Sequence, residues 1–443
     1  MSGVRFEGIP ATLLDASVAP GDAGYRAVAS TYMRGGAPGL VLRPADLTQV
    51  AEALAFAAGH RELTLGIRSG GHGISGRSTN HGGLVIDVGS MNEVTVLDRD
   101  ARTFRAGPGA TWKQVAATIG PLGWAITSGD YGGVGVGGLA TAGGIGFFSR
   151  SQGLTIDRLR AVELVLADGR HVRASQTENP DLFWALRGAG ANFGVATAFE
   201  FEAAEVGPVG WAQLVFVVDD LAQAMVTFGE VAAAAPRDTT LFFLAGASYG
   251  AQQVVQLYGV VDSDHADTII DRLNPFAAIG DLVQQQVGLT DYASVIGMAG
   301  DVGPEGHRGY GEPITRSALA PTITPELAQA ASALVTSGAS PLVQFRSLGG
   351  ATTDVPADGT AFAHRDAQFS LTAMGRDEAA LASGWTTVQS VSSGTYYPFD
   401  TRGASELLPV AFPPLWLGRL RELKRRYDPT GLFRDNVPIP PAD

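Results

Sequence analysis

The chain is 443 residues long, with 45% hydrophobic and 17% charged residues and a formal net charge of −13. That length exceeds the ~250–300 residues one core usually serves, so two domains are expected and general disorder is excluded. An acidic surface repels phosphate backbones, which argues against a nucleic-acid partner. The chain has no cysteine, which excludes disulfides, thiolate nucleophiles, cysteine-ligated zinc and any cysteinyl cofactor link.

The opening MSGVRFEGIPATLLDAS has no basic flank before an apolar core, so no secretion signal is expected. Arg43–His60 reads as an amphipathic helix, with Pro44 or Asp46 near its start. Short β-rich runs follow at Leu65–Arg68, Leu84–Asp87, Val94–Leu97 and Thr103–Ala106, the last two joined through Asp98-Arg99-Asp100 as a hairpin. The uncharged run Tyr131–Ser149 is about as long as a membrane span. Eight of its nineteen residues are glycine, which suits close backbone approach better than a lipid-facing helix. A soluble, cytoplasmic protein with no membrane partner is expected. Val162–Leu166 and His171–Ala174 form a second hairpin, Asn179-Pro180-Asp181 starts a short helix, and Gly194–Phe201 is a further strand.

From Trp211 the pattern changes. WAQLVFVV, TLFFLAG and QVVQLYGV read as long alternating strands between Ala-rich helices around 219–235 and 263–275, continued by Pro341–Leu348, Phe369–Met374 and a helix at Glu378–Val391. One antiparallel sheet covered by helices is expected there. The basic helix Pro413–Tyr427, before the extended DPTGLFRDNVPIPP, reads as a solvated surface element. The fold class is α+β, with three segments: 1–205, 206–395, and 396–443 returning to the first.

Three glycine-rich segments carry the chemistry. In Arg68-Ser69-Gly70-Gly71-His72-Gly73 a strand stops and two glycines release the backbone, making either an anion-binding nest or a tight turn that contains a histidine. In Ser128–Gly138, residues 133–138 satisfy G-x-G-x-x-G, with Asp157 about 20 residues on. A dinucleotide site of the Rossmann kind needs a buried strand immediately before that motif. Thr127-Ser128-Gly129-Asp130 is turn chemistry instead, so a pyrophosphate-cradling loop of another kind is favoured. The third segment, Asn179–Val195, reads as a helix, a glycine C-cap and a strand. Three such turns in one half imply backbone crowding around a large planar or phosphorylated ligand.

RSGGHGISG (68–76), VGVGGLATAGGIG (134–146), NPDLFWALRGAGANFGVAT (179–197) and LKRRYDPTGLFRDN (423–436), in that order, resemble the berberine-bridge-enzyme-like group of the vanillyl-alcohol-oxidase (PCMH-type) flavoproteins. The resemblance implies a two-domain FAD-binding fold with an antiparallel-sheet substrate domain. It implies that His72 bonds covalently to the 8α-methyl of FAD, and that Arg68, Ser69, Gly70, Gly71, Gly73, Gly76, Ser128, Gly129, Tyr131, Gly133, Val134, Gly137, Gly138, Ile145, Gly194, Val195 and Asn436 surround the cofactor. Many relatives carry a second link through a cysteine where this chain has Tyr131, so a singly linked flavin is implied. Val134 stands at the position that gates oxygen in the family, where valine accompanies use of O2.

For the substrate proton, alternation on Pro341–Leu348 places Gln344, Arg346 and Leu348 on one face. A cation at Arg346 disfavours amines and suits an acidic or enolate-like substrate, unless it pairs structurally with a carboxylate. Tyr396 falls where relatives place a catalytic tyrosine, although the usual Asn-Tyr after it is Pro398-Phe399 here, so stacking by Tyr396 or Tyr397 is an equal reading. Gln368 and Ser370 are weaker candidates, and His364 beside Arg365 is expected to anchor a loop. His60, His81, His171, His265 and His307 show no ligand spacing, so no metal is expected. The implied activity is a covalent-FAD oxidase that removes hydride from an alcohol, sugar hydroxyl or secondary-metabolite intermediate and reduces O2 to H2O2. A flavin-dependent oxygenase or oxidative cyclase, and a non-catalytic flavin carrier, are the alternatives. Substrate identity and oligomeric state carry no sequence signal.

Overall fold

The computed structural model of the protein describes residues 6–246, 252–299 and 312–442. Its first half builds two sheets. The first orders Ser17–Val18, Leu40–Leu42, Leu84–Asp87 and Leu65–Arg68, the last three in parallel. Parallel strands must be covered on both faces, and LVL and LVID are buried at every position. The crossover between Leu40–Leu42 and Leu65–Arg68 is the helix Leu47–Gly59. It starts where the Asp46 carboxylate accepts from the Gln49 backbone N–H at 2.9 Å, and it buries Val50, Ala53, Leu54, Phe56 and Ala57. The second sheet is antiparallel, in the order Val94–Asp98, Thr103–Ala106, Gly194–Glu202, Leu159–Leu166, His171–Ser175. Both expected hairpins are present.

Residues 209–375 supply a seven-stranded, wholly antiparallel sheet. Its order is Asp281–Thr290, Val209–Val218, Gln253–Val261, Thr239–Gly246, Leu342–Ser347, Phe369–Gly375, Ile314–Ala320. Alternation along these strands makes two unlike faces. Leu214, Phe243, Leu257, Phe345 and Leu371 point to one side, where the helices Leu221–Ala234, Pro325–Thr336 and Glu378–Ser390 cover them. The other side carries Trp211, Phe242, Tyr258, Gln344, Arg346 and Ser370 and is turned toward the first half, where Phe147 stacks on Phe242 at 5.1 Å.

Two sequence expectations change. The sequence pattern assigns no element between the helix around 263–275 and Pro341–Leu348, yet the strand Asp281–Thr290, the helix Tyr292–Gly297 and the strand Ile314–Ala320 lie there. The first strand is a sheet edge open to solvent on both faces and the last is buried along nearly its whole length, so neither shows a period of two. The basic C-terminal helix, Pro414–Tyr427, is half buried rather than solvated. It buries Leu420, Leu423, Lys424 and Tyr427, while Arg425 and Arg426 face solvent.

Lys424 fastens the returning segment to the first half. Its ammonium donates to the carbonyls of Asn192 and Phe433, at 2.7 and 2.8 Å, and lies 2.8 Å from the fully buried Asp428 carboxylate. Asn192 completes the clasp, donating to the Val437 carbonyl and accepting from the Ile439 N–H. Lys424→Met keeps the volume but leaves Asp428 buried without its cation. It is expected to cost ~3–5 kcal/mol of unfolding free energy by denaturant titration.

Candidate active site

The histidine loop and the glycine-rich loop touch backbone to backbone. A Cβ on Gly70 would meet Gly135 N at 2.6 Å, and one on Gly135 would meet Gly70 N at 2.3 Å and Ser69 Oγ at 2.2 Å. Only glycine at both positions permits this approach. The Ser69 hydroxyl donates to the Pro108 carbonyl at 2.6 Å and Gly137 N–H to the same oxygen at 3.0 Å, so one carbonyl ties both loops. Arg68 supports the turn from beneath. Its guanidinium lies 3.2 Å from Asp87 and donates to the carbonyls of Ala27, Val28 and Ser30, so it presents no charge to the cleft.

His72 stands at the mouth of this contact. Its ring stacks on Tyr32 at 4.8 Å and lies 4.9 Å from the Tyr131 ring, and its Nε2 would be 3.0 Å from a Cβ on Gly133. Surface remains open at His72, Gly73, Gly76, Tyr131, Gly133, Val134, Gly137 and Gly138, all on the two loops that meet at this contact. Ser128, Gly129, Gly71, Ile145, Gly194 and Val195 are buried behind it and shape the loops; Val195 belongs to the core that includes Val165, Leu432 and Phe433. Asn436 is exposed on the returning segment. His307 lies outside the described residues.

The second wall is the polar face of the seven-stranded sheet. Arg346 is held between the rings of Phe399 and Phe242, at 4.6 and 5.2 Å. Its Nη2 lies 2.9 Å from the Asp130 carboxylate and its Nε donates to Gln344 Oε1 at 2.9 Å. Gln344 Nε2 donates to the Tyr258 hydroxyl at 2.5 Å. Arg346 therefore pairs with a carboxylate, and its charge is compensated rather than free for an anionic substrate. Burial, reinforced by the Asp130 charge, raises the Tyr258 pKa well above that of a free phenol. Tyr396 meets the Phe399 ring edge-on at 5.0 Å, and its hydroxyl accepts from the Gly144 N–H at 3.0 Å. Burial pushes its pKa up to about 12, so the phenol is protonated at neutral pH. Ser370, opposite Arg346 in the sheet, is fully buried with no partner for its hydroxyl. His364 anchors a loop, with Nε2 3.0 Å from the Val410 carbonyl oxygen, and Arg365 makes a bidentate pair with Asp157, both contacts 2.8 Å.

The structure thus brings Gln344, Arg346, Tyr396, Val134 and His72 to one region, and adds Asp130, Tyr258, Phe242 and Phe399. Asp130 had a signal in the sequence: it is the charge immediately before the uncharged run. Tyr258 had only its place in an alternating strand. A separate cavity of about 490 Å³ lies behind the Ser128–Asp130 loop, lined by Trp112, Ile119, Trp124, Ile126 and Tyr292. Its apolar walls lack the convergent polar groups of the sheet face.

The chain is similar to known FAD-linked proteins. Residues 38–175 match the model of an FAD binding domain. The chain is 42% identical to an FAD-linked oxidoreductase of Aspergillus terreus over 33% of its own length, a match that spans 30% of that relative. It is 28% identical to the (R)-6-hydroxynicotine oxidase of Paenarthrobacter nicotinovorans over 98% of each chain. The solved xylooligosaccharide oxidase of Myceliophthora thermophila, in complex with xylobiose, superposes with a TM-score of 0.83 at 26% identity, covering 96% of this chain and 97% of that one.

The glycine contact is testable by itself. Gly135→Ala forces the two loops apart and is expected to cost ~1–3 kcal/mol by denaturant unfolding, whereas Gly59→Ala, which meets nothing within 4 Å, should be nearly neutral.

Proposed function

We propose that the chain belongs to the FAD-binding flavoproteins of the vanillyl-alcohol-oxidase type and is an oxidase with a single covalent flavin, a reading supported by its similarity to such proteins. Its action would be to take hydride from the carbon of a neutral alcohol or sugar hydroxyl and pass the electrons to O2. The observation that carries this reading is the facing of two walls, a side-chain-free glycine edge with an imidazole at its mouth, and a polar row among aromatic rings.

The glycine edge fits the cofactor: where a Cβ would collide there is only backbone, and the open residues from His72 to Gly138 form its rim. His72 is the residue for the covalent link, since an imidazole nitrogen is a competent nucleophile and its ring is already fixed by Tyr32 and Tyr131. With no cysteine in the chain, Tyr131 covers the edge where a second link would form. Bound there, the flavin would accept the hydride. This chain's own residues would orient the substrate: the half-buried Phe399 and Tyr258 supply apolar surface, and the Arg346–Asp130 pair offers a donor and an acceptor to one hydroxyl. Because that pair is internally neutral, a neutral hydroxylated substrate suits it better than the acidic one suggested by Arg346 alone. Val134, small and half buried beside the glycine edge, leaves room for O2.

The purified protein is expected to be yellow, and neutral alcohols or oligosaccharides should bleach it without air. Readmitted O2 should restore the colour with one H2O2 per product. Oxygen from O2 appearing in the product would favour an oxygenase or cyclase instead. Val134→Leu should slow reoxidation while leaving anaerobic reduction unchanged. A protein whose reduced flavin ignores O2 would contradict the oxidase reading and favour a carrier.

A further inference from the structure

Arg346 anchors a cluster of four side chains on the polar face. Its Nε donates to Gln344 Oε1 at 2.9 Å, and Gln344 Nε2 donates to the Tyr258 hydroxyl at 2.5 Å. Its Nη2 lies 2.9 Å from the Asp130 carboxylate, whose charge also acts on the Tyr258 phenol. A guanidinium has no acceptor, so Asp130 is the accepting partner of the Arg346 pair. Its side chain keeps 18% of its surface exposed, on the loop between Ser128 and Tyr131, so it has lone pairs left for a further donor.

The other groups at this site are poor proton acceptors. Tyr396 already accepts from Gly144 N–H and stays a neutral phenol. Arg346 is a donor-only group already committed to Gln344 and Asp130, and Gln344 does not titrate. Among the described residues, Asp157 is bound bidentately by Arg365, and Asp400 is fully buried against Arg402.

We propose that Asp130 takes the hydroxyl proton of the substrate, with Tyr258 and Arg346 as the positioning residues that aim its carboxylate. The inference rests on the oxidase reading above. In the step, the O–H bond breaks and its electron pair becomes the second bond of the carbonyl. The neighbouring C–H pair departs as hydride to the flavin, and the proton is left on an Asp130 oxygen. A base supplied by the glycine loop rather than by the substrate sheet would act on the same hydroxyl that Arg346 holds as donor.

The test uses the flavin-loaded enzyme and two readouts. In anaerobic stopped flow with the neutral alcohol or sugar that reduces the wild type, Asp130→Asn should slow reduction by roughly 10²–10⁴-fold. Asp130→Glu should recover part of that rate, and reoxidation by O2 should be unchanged in both. Tyr258→Phe should slow reduction while leaving the benzoate affinity described next at its wild-type value, because the Arg346–Asp130 pair stays closed. The second readout needs no turnover: benzoate is titrated against the flavin absorbance. In the wild type Arg346 is already paired and benzoate should bind weakly. In Asp130→Asn the guanidinium is uncompensated and benzoate should bind at least about tenfold tighter, which is ~1.4 kcal/mol, a gain that Arg346→Met should abolish. Wild-type reduction rates in Asp130→Asn, or an unchanged benzoate affinity, would overturn the assignment. A wild type that carries no flavin, or that no hydroxylated compound reduces, would overturn the oxidase reading instead.

Discussion

The contact between Gly70 and Gly135 is the constraint on which the rest of the site depends. Two loops from distant parts of the chain approach until backbone nitrogen faces backbone carbon, and no side chain can enter between them. That closeness sets His72 at the mouth of the contact. It starts the helix Val136–Ala142 directly behind the loop and leaves a rim of backbone where a large planar group can lie. Arg68, Ser69 and Pro108 hold the contact from below, which explains why a buried guanidinium sits beside a glycine turn without reaching the cleft.

The opposite wall follows from one property of an antiparallel sheet, the alternation of its faces. A single strand, Leu342–Ser347, sends Val343 and Phe345 into the helix-covered core and Gln344 and Arg346 toward the first half. The apolar face holds this half of the molecule together, so the polar face is free to be specialised. Burying Arg346 there costs desolvation, which the Asp130 carboxylate and two aromatic faces offset. The pair also spans the two halves, so the substrate wall and the glycine loop are positioned by the same interaction that forms the site.

Much of this could be read in the amino-acid order because it is local. Gly-Gly-His after a strand, alternating residues between Ala-rich helices and the Asp46 cap are short-range signals, and the elements they predict are present. What escaped is long-range or compensating. The edge strand Asp281–Thr290 shows no alternation because neither of its faces is buried. The buried side of the C-terminal helix was masked by its basic residues, since Lys424 is a cation that goes inward to meet Asp428. Arg346 was visible, but its partner lies 216 positions earlier, at Asp130, and no sequence spacing reveals that pairing. The consequence for function is direct, since a free cation and a compensated one favour different substrates.

Whether the glycine contact presents His72 to a flavin is decided by peptide mapping of the denatured holoprotein. Trypsin releases residues 69–77 as one peptide, bounded by Arg68 and Arg77 and containing His72 as its sole histidine. This peptide alone is expected to carry the flavin mass and the flavin fluorescence, with fragmentation placing the adduct on His72. An unmodified 69–77 peptide, with flavin on another peptide or absent from the protein altogether, would contradict this expectation.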